Sequence, residues 1–110
     1  MQEVRKKPGV LLTSDHFRYH TGRIVTAFCE EWPSDIIAVI TRGAEDCPGS
    51  KKNSRHFDGK AFDFRARSLP PEIDRNKLLH RVMDKLGRPD YFGYYKENDV
   101  TEWFHIQNNK

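Results

Sequence analysis

The segment G-K-A-F-D-F-R-A at 59–66 constrains the fold more than any other part of the chain. Its side chains alternate on an extended backbone, with Ala61, Asp63 and Arg65 on one side and Phe62, Phe64 and Ala66 on the other. That is a strand with one apolar face, and such a face needs a cover.

The flanking sequence supplies one. H-F-R-Y-H-T-G-R-I-V-T-A-F-C-E-E-W at 16–32 reads as a helix: Phe17, Ile24, Phe28 and Trp32 recur near helical spacing, and Ser14 or Asp15 is placed to cap it. Gly22 weakens its middle. Pro33 and Ser34 break the chain before D-I-I-A-V-I-T-R at 35–42, a β-branched run expected to be a buried strand. The glycine-rich, polar stretch that follows reads as a loop. A second helix is expected over 68–87, entered through Pro70 and Pro71, with Glu72 and Asp74 in its first turn and Gly87 at its end. Ile73, Leu78, Val82 and Leu86 form its inner stripe, and Lys77, Arg81 and Lys85 point outward. Y-F-G-Y-Y-K-E and E-W-F-H-I-Q are two further strands joined by the turn-like E-N-D-V-T. The expectation is an α+β fold: a small antiparallel sheet with helices packed on one face, in a single domain over 1–110.

Composition narrows the function classes. Aromatic residues at 12% argue against disorder, while 32% charged residues imply a heavily charged surface. The net charge of +3 suits an anionic partner without choosing one. Lys51–Lys52 is the densest basic pair, and the aromatic residues are not interleaved with Lys and Arg as in an RNA-recognition sheet, so nucleic acid is not the expected partner. Cys29 and Cys47 are too few for a disulfide framework. Cys29 reads as a small core residue and Cys47 as a loop thiol. No run approaches the length of a signal h-region or a membrane span. Synthesis in the cytoplasm without a signal peptide of its own, no membrane partner and a monomeric state are the corresponding expectations.

The chemistry is concentrated around the alternating strand. His56 lies in the turn leading into it and Asp63 on its polar side, with Gly59 allowing a tight bend and small Ala61 leaving room beside the carboxylate. Imidazole nitrogen and carboxylate oxygen are both zinc ligands at about 2.0–2.2 Å. A third ligand is needed, and His105 is the candidate, on a strand face shared with Trp103 and Gln107. His16 and His20 form an i, i+4 pair without a nearby carboxylate, and His80 sits on a charged helix as a surface residue. Glu45, Asp46 and Asp58 are the acidic positions from which a second cation site would be built.

Ser54, His56, Gly59, Ala61 and Asp63 spell S-x-H-x-x-G-x-A-x-D, and Glu102 with His105 spells E-x-x-H near the C-terminus. These motifs resemble those of the zinc D-alanyl-D-alanine carboxypeptidase and L-alanyl-D-glutamate endopeptidase family, whose fold is shared with the hedgehog signalling domain. The resemblance implies one zinc ion held by His56, Asp63 and His105, with Glu102 as catalytic base; an uninterrupted strand would turn Glu102 away from His105, so it is expected in a bend before the last strand. It implies a peptidoglycan stem peptide as substrate, met by Arg42, Ser54 and Trp103. Ser54 is read as a loop-fixing group, and Arg42 either as a ligand for a carboxylate or oxyanion or as an ordinary surface arginine. A phage endolysin, made in the cytoplasm and acting at the cell wall, fits the missing signal peptide. The alternatives are a non-catalytic, zinc-stabilised hedgehog-like binding module and, behind it, a small basic nucleic-acid-binding protein.

Overall fold

A computed structural model describes residues 3–45, 56 and 58–110. Five strands form one sheet in the order β1-β2-β3-β5-β4: β1 (Val4–Lys6), β2 (Ala38–Arg42), β3 (Ala61–Arg65), β4 (Tyr91–Glu97) and β5 (Glu102–Asn108). Helices α1 (Tyr19–Glu31) and α2 (Arg75–Leu86) complete the α+β architecture. The sheet is mixed rather than wholly antiparallel, because β1 runs parallel to β2. This edge strand was not anticipated. It is three residues long, its Arg5 and Lys6 are exposed, and cationic side chains on a short edge discourage pairing with other chains.

The alternation of β3 holds. Phe62, Phe64 and Ala66 are buried, and they join Phe104 and Ile106 of β5 and the inner residues of both helices in one core. Phe28 of α1 stacks on Phe64 with ring centroids 3.9 Å apart and meets Phe104 edge-on at 5.7 Å. Each such aromatic contributes roughly 1.5–3 kcal/mol through removal of its surface from water. Both helices therefore lie on the phenylalanine face, and the other face carries Asp63 and His105.

Both helices begin later than the sequence suggests. Ser14–Phe17 forms a separate 3-10 turn, in which the Thr13 amide donates to His16 Nδ1 at 3.0 Å, and extended Arg18 divides it from α1. Phe17, expected inside, is consequently 70% exposed. In α2 the start falls at Arg75, where Asp74 accepts from the Lys77 amide at 3.0 Å, so Glu72 lies outside the helix. Gly87 caps its end with φ +96°, a conformation open to glycine. The β4–β5 turn is closed by Asn98, whose side-chain oxygen accepts from the Val100 and Thr101 amides. Among the described residues no helix is long and apolar enough to cross a membrane.

Candidate metal centre

Register brings the polar residues of four strands into one row. Asp63 of β3 is directly opposite His105 of β5, which is opposite Tyr94 of β4. On the other side, Arg42 of β2 is opposite Asp63. Simple alternation from buried Ile40 would send Arg42 to the core face. The pairing slips between Ile40 and Arg42, two residues of β2 spanning one step of β3, and this bulge places Arg42 on Asp63's face.

His56 arrives from the loop before β3. Gly59 turns the chain with φ +68°, and a Cβ there would lie 2.7 Å from both the Asp15 Cβ and the Thr13 Oγ1. Conformation and space both demand glycine. The Gly59 amide donates to the His56 carbonyl at 3.1 Å, fixing the turn. Beneath it, buried His16 donates from Nε2 to the Ala61 carbonyl at 3.2 Å. Its role is structural, and burial holds its pKa below the ordinary imidazole value.

Three donor atoms converge. His56 Nε2 is 3.1 Å from Asp63 Oδ1 and 3.1 Å from His105 Nδ1, which is itself 2.8 Å from Asp63 Oδ1. All three residues are buried. The far side of each ring fixes its tautomer. His56 Nδ1 lies 3.1 Å from the Gly43 carbonyl, and His105 Nε2 lies 2.8 Å from Gln107 Oε1. Both oxygens only accept, so these nitrogens carry the protons. Gln107 is oriented in turn by donation to Asn109 Oδ1 at 2.7 Å. The inner nitrogens are left as lone pairs facing each other and a carboxylate.

Three acceptors this close repel unless a cation lies among them. A tetrahedral zinc with bonds near 2.05 Å needs ligand separations of about 3.3 Å, close to those observed. Outward hydrogen bonds to carbonyl and amide oxygens are the usual support for metal-binding histidines. The residues therefore fit a metal ion, and this buried His-Asp-His group could hold one. Without metal, only an added proton relieves the three acceptors. Burial pushes the Asp63 carboxyl up, but in the metal-free chain an inner nitrogen that has taken this proton donates to it, and the His105 and His56 contacts together hold the group below the ordinary carboxylate value.

Tyr94 and Gln107 complete the surroundings. The Tyr94 ring stacks on His105 with centroids 4.7 Å apart and planes 17° from parallel. Burial, reinforced by the Asp63 charge, raises its phenol pKa. Sequence reasoning left Tyr94 out, although pairing the last two strands as a hairpin would have set it opposite His105. Gln107 was placed on the correct face without its role. A groove of about 480 Å³ beside Asp63 is lined also by Arg42, Arg65, Arg67, Glu102 and Trp103.

Glu102 requires a correction. It does not precede the last strand in a bend but opens β5, paired with Glu97, and so faces away from His105. Its carboxylate accepts from Arg75 Nη2 at 3.2 Å and from the Tyr95 hydroxyl, on the helix-bearing side. Arg75 also donates to the carbonyls of Leu69, Pro70 and Ile73. Glu102 thus ties α2 to β4 and β5, and its carboxylate is not brought to the triad. Burial and the Glu102 hydrogen bond raise the Tyr95 pKa strongly.

Among the other residues singled out, His16 and His20 form no metal pair, since His16 is committed to Thr13 and Ala61. His80 is exposed. Glu45 accepts from the Leu11 and Gly43 amides, at 2.9 and 2.8 Å, so it supports the loop that holds His56. Cys29 is half-buried against the core. Ser54, Asp46 and Cys47 lie outside the described residues. No family model, curated protein or solved structure matches the chain.

Proposed function

We propose that the protein is a zinc-dependent peptidase acting on the stem peptide of peptidoglycan, as an L-Ala-D-Glu endopeptidase or a D-Ala-D-Ala carboxypeptidase. The observation that carries this reading is the convergence of His56 Nε2, Asp63 Oδ1 and His105 Nδ1 beside a groove. Among the described residues no fourth His, Cys, Asp or Glu joins the group. Three protein donors are the hallmark of catalytic rather than structural zinc. The S-x-H-x-x-G-x-A-x-D motif that supplies two of them supports the substrate class.

When bound, zinc supplies a Lewis acid for a peptide carbonyl and a means of acidifying the attacking water. The chain's own residues prepare that chemistry. Gly43 and Gln107 hold the two imidazoles as neutral ligands. Arg42, which the β2 bulge turns to this face, would grip a substrate carboxylate or a developing oxyanion. Trp103 and Arg65, cross-strand partners on the same face, border the path along which a peptide lies. Glu102 serves as proton acceptor only if its side chain leaves Arg75 and Tyr95. A phage endolysin made in the cytoplasm and acting at the wall is the setting this reading favours.

The orientation of Glu102 favours a second reading, a zinc-stabilised binding module without turnover. Mass spectrometry of peptidoglycan fragments, with and without chelator, separates the two. Chelator-sensitive release of a new amino terminus after L-alanine, or of terminal D-alanine, is expected for the peptidase and identifies the bond. Zinc binding with no cleavage of several wall types would establish the module.

A further inference from the structure

Several cations of this molecule are paired: Arg75 with Glu102, Arg81 and Lys85 with Glu31, Arg18 with Asp15, and Arg5 with Glu3. Along the groove beside the triad lie Lys7, Arg42, Arg65 and Arg67. Among the described residues, Lys7, Arg65 and Arg67 take part in no ion pair. The two carboxylates near them are already engaged, Asp63 with the histidines and Glu102 with Arg75 and Tyr95. Like charges gathered in one concavity repel each other and focus a positive potential that an anionic ligand relieves.

We propose that this groove binds a peptide segment carrying two or more carboxylates and discriminates free carboxyl groups from their amides. The inference rests on the peptidase reading only for the choice of a stem peptide as the ligand. Asp63 and Arg65 follow one another on the same face of β3, a step of about 7 Å. An extended peptide laid along the strand presents alternate side chains at the same interval. A guanidinium offers a planar fork that matches a carboxylate and gains far less from a carboxamide. The volume of about 480 Å³ lies in the range of small-ligand sites, which suits a short peptide better than a nucleic-acid duplex.

The test is calorimetric binding of a synthetic stem tetrapeptide, with its carboxyl groups free or amidated, to the full chain both zinc-loaded and chelated. The free acid is expected to bind at least about tenfold more tightly in both states, since the groove cations lie outside the triad. Arg65→Gln with Arg67→Gln should erase that preference while the zinc content stays unchanged, which shows that the variant is folded. Equal affinity for acid and amide, or a preference that survives the double substitution, overturns the proposal. So does displacement of the peptide by a single-stranded oligonucleotide of equal charge. Selective binding without cleavage supports the proposal and contradicts the peptidase reading; cleavage indifferent to amidation does the reverse.

Discussion

The two faces of the sheet are built by different rules. On the helix-bearing face, Phe62, Phe64, Phe104 and Ile106 meet the inner stripes of α1 and α2, and their order follows from periodicities of two and 3.6 residues. On the opposite face, Arg42, Asp63, His105 and Tyr94 stand in one cross-strand row whose members come from four strands. The first face tolerates changes that keep volume and polarity. The second depends on register, on one bulge and on two tautomers, because its capacity to hold a metal ion lies in where three donor atoms point. Folding energy resides mainly on one side of the strands and the candidate metal group lies on the other.

The largest break in that comparison comes from the core. Phe64→Ala, which removes the ring stacked on Phe28, should cost about 3–5 kcal/mol in denaturant unfolding. A loss below about 1 kcal/mol would show that the helix-bearing face does not hold the fold. On the opposite face, His56→Ala should change the metal-free chain less but abolish the stabilisation that zinc confers. That stabilisation is about 2.7 kcal/mol at a metal concentration a hundred times the Kd, and thermal melts with and without zinc measure it.

Glu102→Ala sharpens the division, because Glu102 belongs to the helix-bearing side in this fold. Its loss should destabilise the chain by about 1.5–3 kcal/mol, from the bonds to Arg75 and Tyr95, and leave zinc stoichiometry unchanged. A base that acts only in catalysis would abolish turnover with no stability change. Acid supplies a further test through His16. The unfolded imidazole takes up a proton near its ordinary value of 6.5, and the buried folded one resists it. Stability should therefore fall as pH drops below that value towards the depressed folded one, and His16→Gln should flatten this part of the profile. An unchanged profile would mean that His16 accepts its proton without unfolding. The smallest effect is expected at Arg81→Ala, an exposed partner of Glu31, at less than about 1 kcal/mol.

The sequence carried the core face well, since Phe28, Phe62, Phe64, Leu78 and Val82 all lie where their spacing put them. His56, Asp63 and His105 were singled out together, and the fold brings them together. What escaped was set by contacts distant in sequence or by single hydrogen bonds. β1 has one inward residue, too few to show a pattern. The early start expected for α1 failed because His16 takes the Thr13 amide and stops the first turn. Arg42 reaches the face of the His-Asp-His group only through the bulge at Thr41, which alternation does not reveal. Glu102 is the reverse case. Three residues from His105 in an extended strand, it had to face the other way, and pairing with Glu97 carries the strand far enough to enforce it.

The most direct test is a zinc titration of the full chain at neutral pH, followed by X-ray absorption of the metal edge and repeated on His56→Ala and His105→Ala. The triad predicts one zinc per chain, with two nitrogen ligands and a carboxylate oxygen from the protein at about 2.0–2.2 Å, and loss of that site in either variant. Failure to bind zinc, or binding at full stoichiometry that survives both substitutions, would contradict the metal centre and the function proposed from it.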